Sequence, residues 1–197
     1  MFSKRGFWLC VCTLGALVAL DRPFNAQTLG QPENFNATAI VNNNLGAGAG
    51  RVLIRITRWS TAEETKRLVT SLKTKGEDKL LDELKGMKSV GTIRTPDTLA
   101  YDLRFAHEQP GEDGGRTIVL ATDRPIGFWE TRNQPRTIQY PFTVVQMQIG
   151  RDGNGQGTLS YATRIRVRGD TIELENYATQ PVMLTEIRSE QHDKAAR

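Results

Sequence analysis

Thiol and imidazole chemistry are nearly absent from this chain. Of its 197 residues two are cysteine and two are histidine. Cys10 and Cys12 both lie in an apolar run near the start, so the rest of the chain has no disulfide framework and no thiolate ligand or nucleophile. His107 and His192 stand alone, whereas a zinc site needs three or four ligands, and no metal or cofactor is expected. Neither charge dominates: 26 basic and 22 acidic residues give a formal +4, which argues against a nucleic-acid partner. No serine sits in a G-x-S-x-G elbow or an S-x-x-K motif. The glycine-alanine run from Gly46 to Gly50 precedes its strand, whereas a dinucleotide-binding turn follows one.

What is present begins with an address. Lys4 and Arg5 precede Phe7 to Leu20, a stretch without charge that has the layout of a secretory signal peptide. As a helix that stretch would rise roughly 21 Å, short of the ~30 Å hydrocarbon core of a bilayer. Residues 1–26 are therefore expected to be cleaved after Ala26, leaving a periplasmic or secreted protein. Contact with a membrane would come only through this segment, if it stayed uncleaved. Its loss would remove both cysteines and bring the net charge to about +2.

Residues 27–50, rich in Asn, Gly and Ala with Glu33 as the single charge, read as a flexible tether. From Arg51 a period-2 alternation of Val52, Ile54 and Ile56 predicts a strand. Ser60-Thr-Ala-Glu63 reads as a capping box opening a helix, with Leu68, Val69 and Leu72 on one stripe and Glu63 paired to Arg67. Gly76 stops that helix, and Leu80, Leu81, Leu84 and Met87 mark a second, shorter piece. Strands follow: Leu99 to Glu108, Arg116 to Thr122, and Ile138 to Ile149, whose apolar side switches midway, as a bulge would account for. A hairpin around Gly169-Asp170 would set Arg166 opposite Glu173, Arg164 opposite Glu175, Val167 opposite Ile172 and Ile165 opposite Leu174. A last strand covers Val182 to Ile187, and residues 189–197 form a charged tail. The expected fold is one α+β domain over 51–188: a mostly antiparallel curved sheet or barrel with one helical segment after the first strand.

Candidate sites are few. His107 ends an apolar strand face and could act as a general base, with Asp123, Glu130 and Tyr101 as possible acid–base partners. Phe128 and Trp129 lie in a Gly/Pro-punctuated connection that reads as a recognition surface. Asp152-Gly-Asn154-Gly-Gln156-Gly157 matches the first half of a calcium loop, but Thr163 replaces the closing glutamate, so a hairpin turn is the better reading.

The run from Val52 through Arg58-Trp59-Ser60-Thr61, the segments Asp123 to Ile126 and Phe128 to Glu130, and Thr171 to Tyr177 resemble a family of secreted bacterial proteins without an assigned activity, over about residues 51–188. The resemblance implies export and carries over no functional residues. The expectation is thus an exported, non-enzymatic α+β domain that binds a small apolar ligand, in a pocket closed over by the curved sheet, or a protein partner. The alternative is a cofactor-free enzyme with its site near His107 and residues 123–130.

Overall fold

A computed structural model describes residues 30–43, 46–111, 114–126, 140–168, 171–176 and 180–190. The expected signal peptide and the segment holding Phe128, Trp129 and Glu130 lie outside the described residues. Among the described residues ten strands and two helices run in the order β1 (Glu33–Asn43), β2 (Gly46–Ile56), α1 (Ala62–Lys75), α2 (Glu77–Gly86), β3 (Gly91–Arg94), β4 (Tyr101–Leu103), β5 (Phe105–Pro110), β6 (Arg116–Ala121), β7 (Phe142–Ile149), β8 (Asn154–Arg168), β9 (Thr171–Asn176) and β10 (Val182–Ser189). The fold is α+β, with more sheet than expected, and the helical segment is the two pieces expected on either side of Gly76.

All the pairings are antiparallel, in the order β4-β3-β2-β1-β10-β8-β7-β6-β5. The two end strands of that order are separated in the chain by Arg104 alone. One bent stretch therefore pairs with β3 through its first half and with β6 through its second. At the bend the Arg104 amide donates to the Ala121 carbonyl (2.9 Å) and the Val90 amide to the Leu103 carbonyl (2.8 Å). The sheet is a nearly closed barrel, and few backbone groups are left on an open edge.

The tether expected at 27–50 is corrected. Residues 33–43 form β1, which pairs with β2 from Glu33↔Ile56 to Asn43↔Gly46, and the glycine-alanine run is part of β2. The helices consequently follow the second strand. Glu33, Phe35, Ala37, Ala39 and Val41 alternate inward and are all buried. The period-2 signal was present but carried by alanine, whose small side chain adds little hydrophobicity while fitting the narrow interior of a barrel. The neighbouring pairs Ala37↔Val52 and Ala39↔Gly50 show this economy of space.

The interior is a packed core. Phe35, Val52, Ile54, Ile56, Ile93, Leu103, Ile118, Leu120, Met147, Leu159, Val182 and Leu184 belong to one contiguous cluster. Of these, Val52, Ile93, Leu103, Ile118, Leu120, Met147, Leu159, Val182 and Leu184 show 0% exposure, which leaves no water-sized void beside them. An eight-stranded barrel is just wide enough for its side chains to fill it. The apolar pocket expected beneath the curved sheet is therefore occupied by these side chains.

A second apolar cluster lies outside the barrel wall, where Leu68, Leu72, Leu80, Leu84 and Met87 of the helical layer meet Phe142, Val144 and Ile165. The bulge expected in β7 lies in β8 instead: between the pairs Phe142↔Thr163 and Val144↔Ser160, β8 carries one residue more than β7. Strand β7 alternates regularly, with Phe142 and Val144 toward the helices and Val145, Met147 and Ile149 inward, whereas β8 changes sides from inward Leu159 to Ile165 in the outer cluster. The strand expected over 99–108 is broken at Arg104: Leu103 and Ala106 point inward, Phe105 outward, and Leu99 is left 89% exposed.

Several local expectations shift by a residue or a partner. The capping box is Thr61 with Glu64 rather than Ser60 with Glu63, since both pairs fit the spacing and Ser60 is engaged elsewhere. Val69 leaves the buried stripe of Leu68 and Leu72. Arg67 reaches Glu83 on α2 (3.3 Å), not Glu63. Gly76, at φ 80, ends α1 and opens α2 in a conformation few other residues tolerate. The β8–β9 register is as expected, including Arg164↔Glu175 and Ile165↔Leu174. The charge ladder differs, however: Arg166 pairs diagonally with Glu175 (2.8 Å) and Arg164 with Glu77 of α2 (3.0 Å). The Asp152 segment turns tightly, with Asp152 Oδ1 and Oδ2 accepting from the Asn154 amide and side chain. The expected tail begins later, because Ser189 closes β10 and Glu190 accepts from Asn34 and Asn36.

Candidate functional site

The chain between β2 and α1 is stitched to β5. The Ser60 amide donates to the Ala106 carbonyl (2.8 Å), and the Ala106 amide donates back to Ser60 Oγ (3.1 Å). This pair sets the start of α1 beside the outer face of β5. Trp59 is held partly buried against the barrel core, and its indole N–H donates to the Gln31 carbonyl (2.8 Å). Arg58 bonds both carboxylate oxygens of Glu64 (2.9 and 3.2 Å), while Glu64 accepts from the Thr61 amide. The Arg58 bond is the main reason that the Glu64 carboxyl lies below its ordinary value.

Between these pieces runs a groove of about 490 Å³ lined by Trp59, Ala62, Thr65, Lys66, Val69 and His107, with Ser60 and Glu108 at its edges. Its apolar surface comes from Trp59, Ala62 and Val69, and Val69 is 39% exposed there. His107 is half-buried and stacks on Phe105, ring centroids 6.1 Å apart at 21°. No other residue holds the His107 nitrogens or the Lys66 ammonium among the described residues. The Thr65 hydroxyl in the groove wall is buried without a hydrogen-bond partner among the described residues.

Directly behind the groove, one end of the barrel interior is closed by charge. Arg116 bonds Glu33 (2.5 Å) and Glu108 (2.9 Å), lies over the Phe35 ring at 5.8 Å, and keeps only 10% of its side chain exposed. Ser189 donates to the same Glu33 oxygen, and the Gly30 amide donates to Glu108 (2.8 Å). Burial works against the Arg116 charge, but the two carboxylates outweigh it and hold the guanidinium above its ordinary value. Glu108 thus turns its carboxylate away from the groove and into this cluster.

The sequence-derived catalytic residues do not converge among the described residues. His107 lies on the outer wall and Tyr101 packs against the inner cluster. Asp123 is buried and bridges Arg104 (3.2 Å) and Arg124 (3.3 Å). Arg104 is three residues from His107, roughly 10 Å along a strand. Among the described residues no group of three or more His, Cys, Asp or Glu side chains could hold a metal ion. Trp59 and Val69 were missed as site residues because each already had a local role, as strand end and apolar stripe, and a single lysine on a helix carries no spacing signal. Glu33 and Arg116 were missed because pairing across 83 positions leaves no spacing signal.

Comparison of the chain with protein-family models, with curated proteins and with solved structures finds no match.

Proposed function

We propose that this is an exported, non-catalytic barrel domain that binds a small apolar molecule in the groove between α1 and β5. One observation carries the reading. The barrel interior is filled, whereas the groove joins a half-buried indole and an exposed valine to a concavity in which the Lys66 ammonium and the His107 nitrogens have no hydrogen-bond partner among the described residues. Its 490 Å³ falls in the usual range for small-molecule sites. The spread of His107, Tyr101 and Asp123 over three separate environments supports binding rather than catalysis. Export rests on the charged start and apolar run of residues 1–26 and on the family resemblance.

The test is a titration with N-phenyl-1-naphthylamine, a neutral apolar fluorophore, on protein recovered from an exporting host. Saturable enhancement at one site per chain that is lost in Val69→Asp is the expected result. Enhancement that Val69→Asp leaves untouched, or none at all, would overturn the reading.

A further inference from the structure

We infer that the molecule taken by this groove is an amphipathic monoanion. Its apolar body would lie along Trp59, Ala62 and Val69, and its carboxylate would meet Lys66 and His107. The inference rests on the groove being a binding site, and adds the chemical class of the occupant.

Charge on the residues that line the groove is one-sided once their partners are counted. Glu108 gives its carboxylate to Arg116 and the Gly30 amide. Glu64 gives both oxygens to Arg58 and caps Thr61. Glu63, on the same turn of α1, makes no ion pair with Lys66. That leaves the Lys66 ammonium, with an imidazole that can donate a hydrogen bond in either protonation state. The N-terminal end of α1, which begins at Ala62, adds the positive pole of the helix dipole on the same side. A cation would find no free carboxylate among the lining residues, and a neutral molecule would leave Lys66 without a partner beside apolar surface. An anion with an apolar body satisfies both halves. Lysine makes a charge-assisted bond to a carboxylate, and the indole supplies flat apolar contact.

The test compares three probes of one chain length by calorimetry: decanoate, 1-decanol and decylammonium. Decanoate should bind about tenfold more tightly than decanol, equivalent to one charge-assisted bond. Decylammonium should bind weakest. In Lys66→Met the preference for decanoate over decanol should collapse while decanol binding persists, and His107→Gln should reduce decanoate binding by a smaller factor. Higher salt should narrow the preference. Equal binding of decanoate and decanol, tightest binding of decylammonium, or a preference that survives Lys66→Met would overturn the monoanion while leaving the groove intact. Failure of all three probes, or binding unchanged in Val69→Asp, would overturn the groove itself.

Discussion

Two places in this molecule gather charge beside aromatic surface, and they treat it in opposite ways. At the barrel end, Arg116 lies over Phe35 between Glu33 and Glu108, with Ser189 and the Gly30 amide taking up further lone pairs. In the groove, the Lys66 ammonium and the His107 nitrogens stand near Trp59 with no hydrogen-bond partner among the described residues. The two meet at β5, where His107 points outward and Glu108 inward. A buried charge must be answered within the fold, because desolvation costs several kcal/mol per ion when it is not. A charge on an open apolar wall can wait for a ligand. The contrast separates residues that hold the structure from residues free to recognise something.

The largest effect should come from breaking the closed member of this pair. Arg116→Met leaves two buried carboxylates facing each other and should cost about 3–5 kcal/mol, read from the shift of the urea midpoint. Lys66→Met should change stability by less than about 0.5 kcal/mol. Similar losses from both substitutions would erase the distinction between the two sites.

A single helix sharpens the same contrast. Leu72 is 6% exposed and packed in the outer cluster, whereas Val69, three positions earlier, is 39% exposed on the groove. Leu72→Ala should cost about 2–4 kcal/mol through lost burial and the cavity left behind. Val69→Ala should stay within about 0.5 kcal/mol while weakening apolar probes in the groove. A large stability loss from Val69→Ala would make the groove wall part of the core.

How far the sequence reached depended on where each signal was stored. Strands marked by large apolar residues were legible. The apolar switch in β7 was misread as a bulge, because Phe142 and Val144 and then Val145, Met147 and Ile149 occupy the two faces of a regular strand, while the inserted residue lies in β8. The β8–β9 register was legible because both faces of a short hairpin agreed on it. Strand β1 was not, since Ala37 and Ala39 carry its inward face and composition alone suggests disorder. A barrel was among the expected forms, but its point of closure was not legible, because it depends on one bend at Arg104 where a continuous alternation changes sides. The candidate site was legible only at His107. Its other walls come from a segment tied to β5 across 46 positions by Ser60 and Ala106, and no local pattern encodes such a contact.

The smallest predicted effect concerns the rim of the groove and depends on pH. Glu64 caps α1 through the Thr61 amide and bonds Arg58 with both oxygens, and that bond lowers its carboxyl below the ordinary 4.5. Glutamine also completes a capping box, so Glu64→Gln keeps the cap and removes only the charge shared with Arg58. A group whose pKa falls on folding adds stability above its unfolded value and loses it as pH drops through its folded value. The wild type should therefore exceed Glu64→Gln by about half a kcal/mol at pH 7, a modest figure because the pair is partly solvated. That margin should hold down to about pH 4.5 and vanish below it, in urea denaturation at stepped pH. A margin that grew on acidification would mean that the Arg58 bond does not favour the charged form. The rim would then owe its geometry to the cap alone, and the neutralisation of Glu64 that leaves Lys66 as the uncompensated charge of the groove would lose its support.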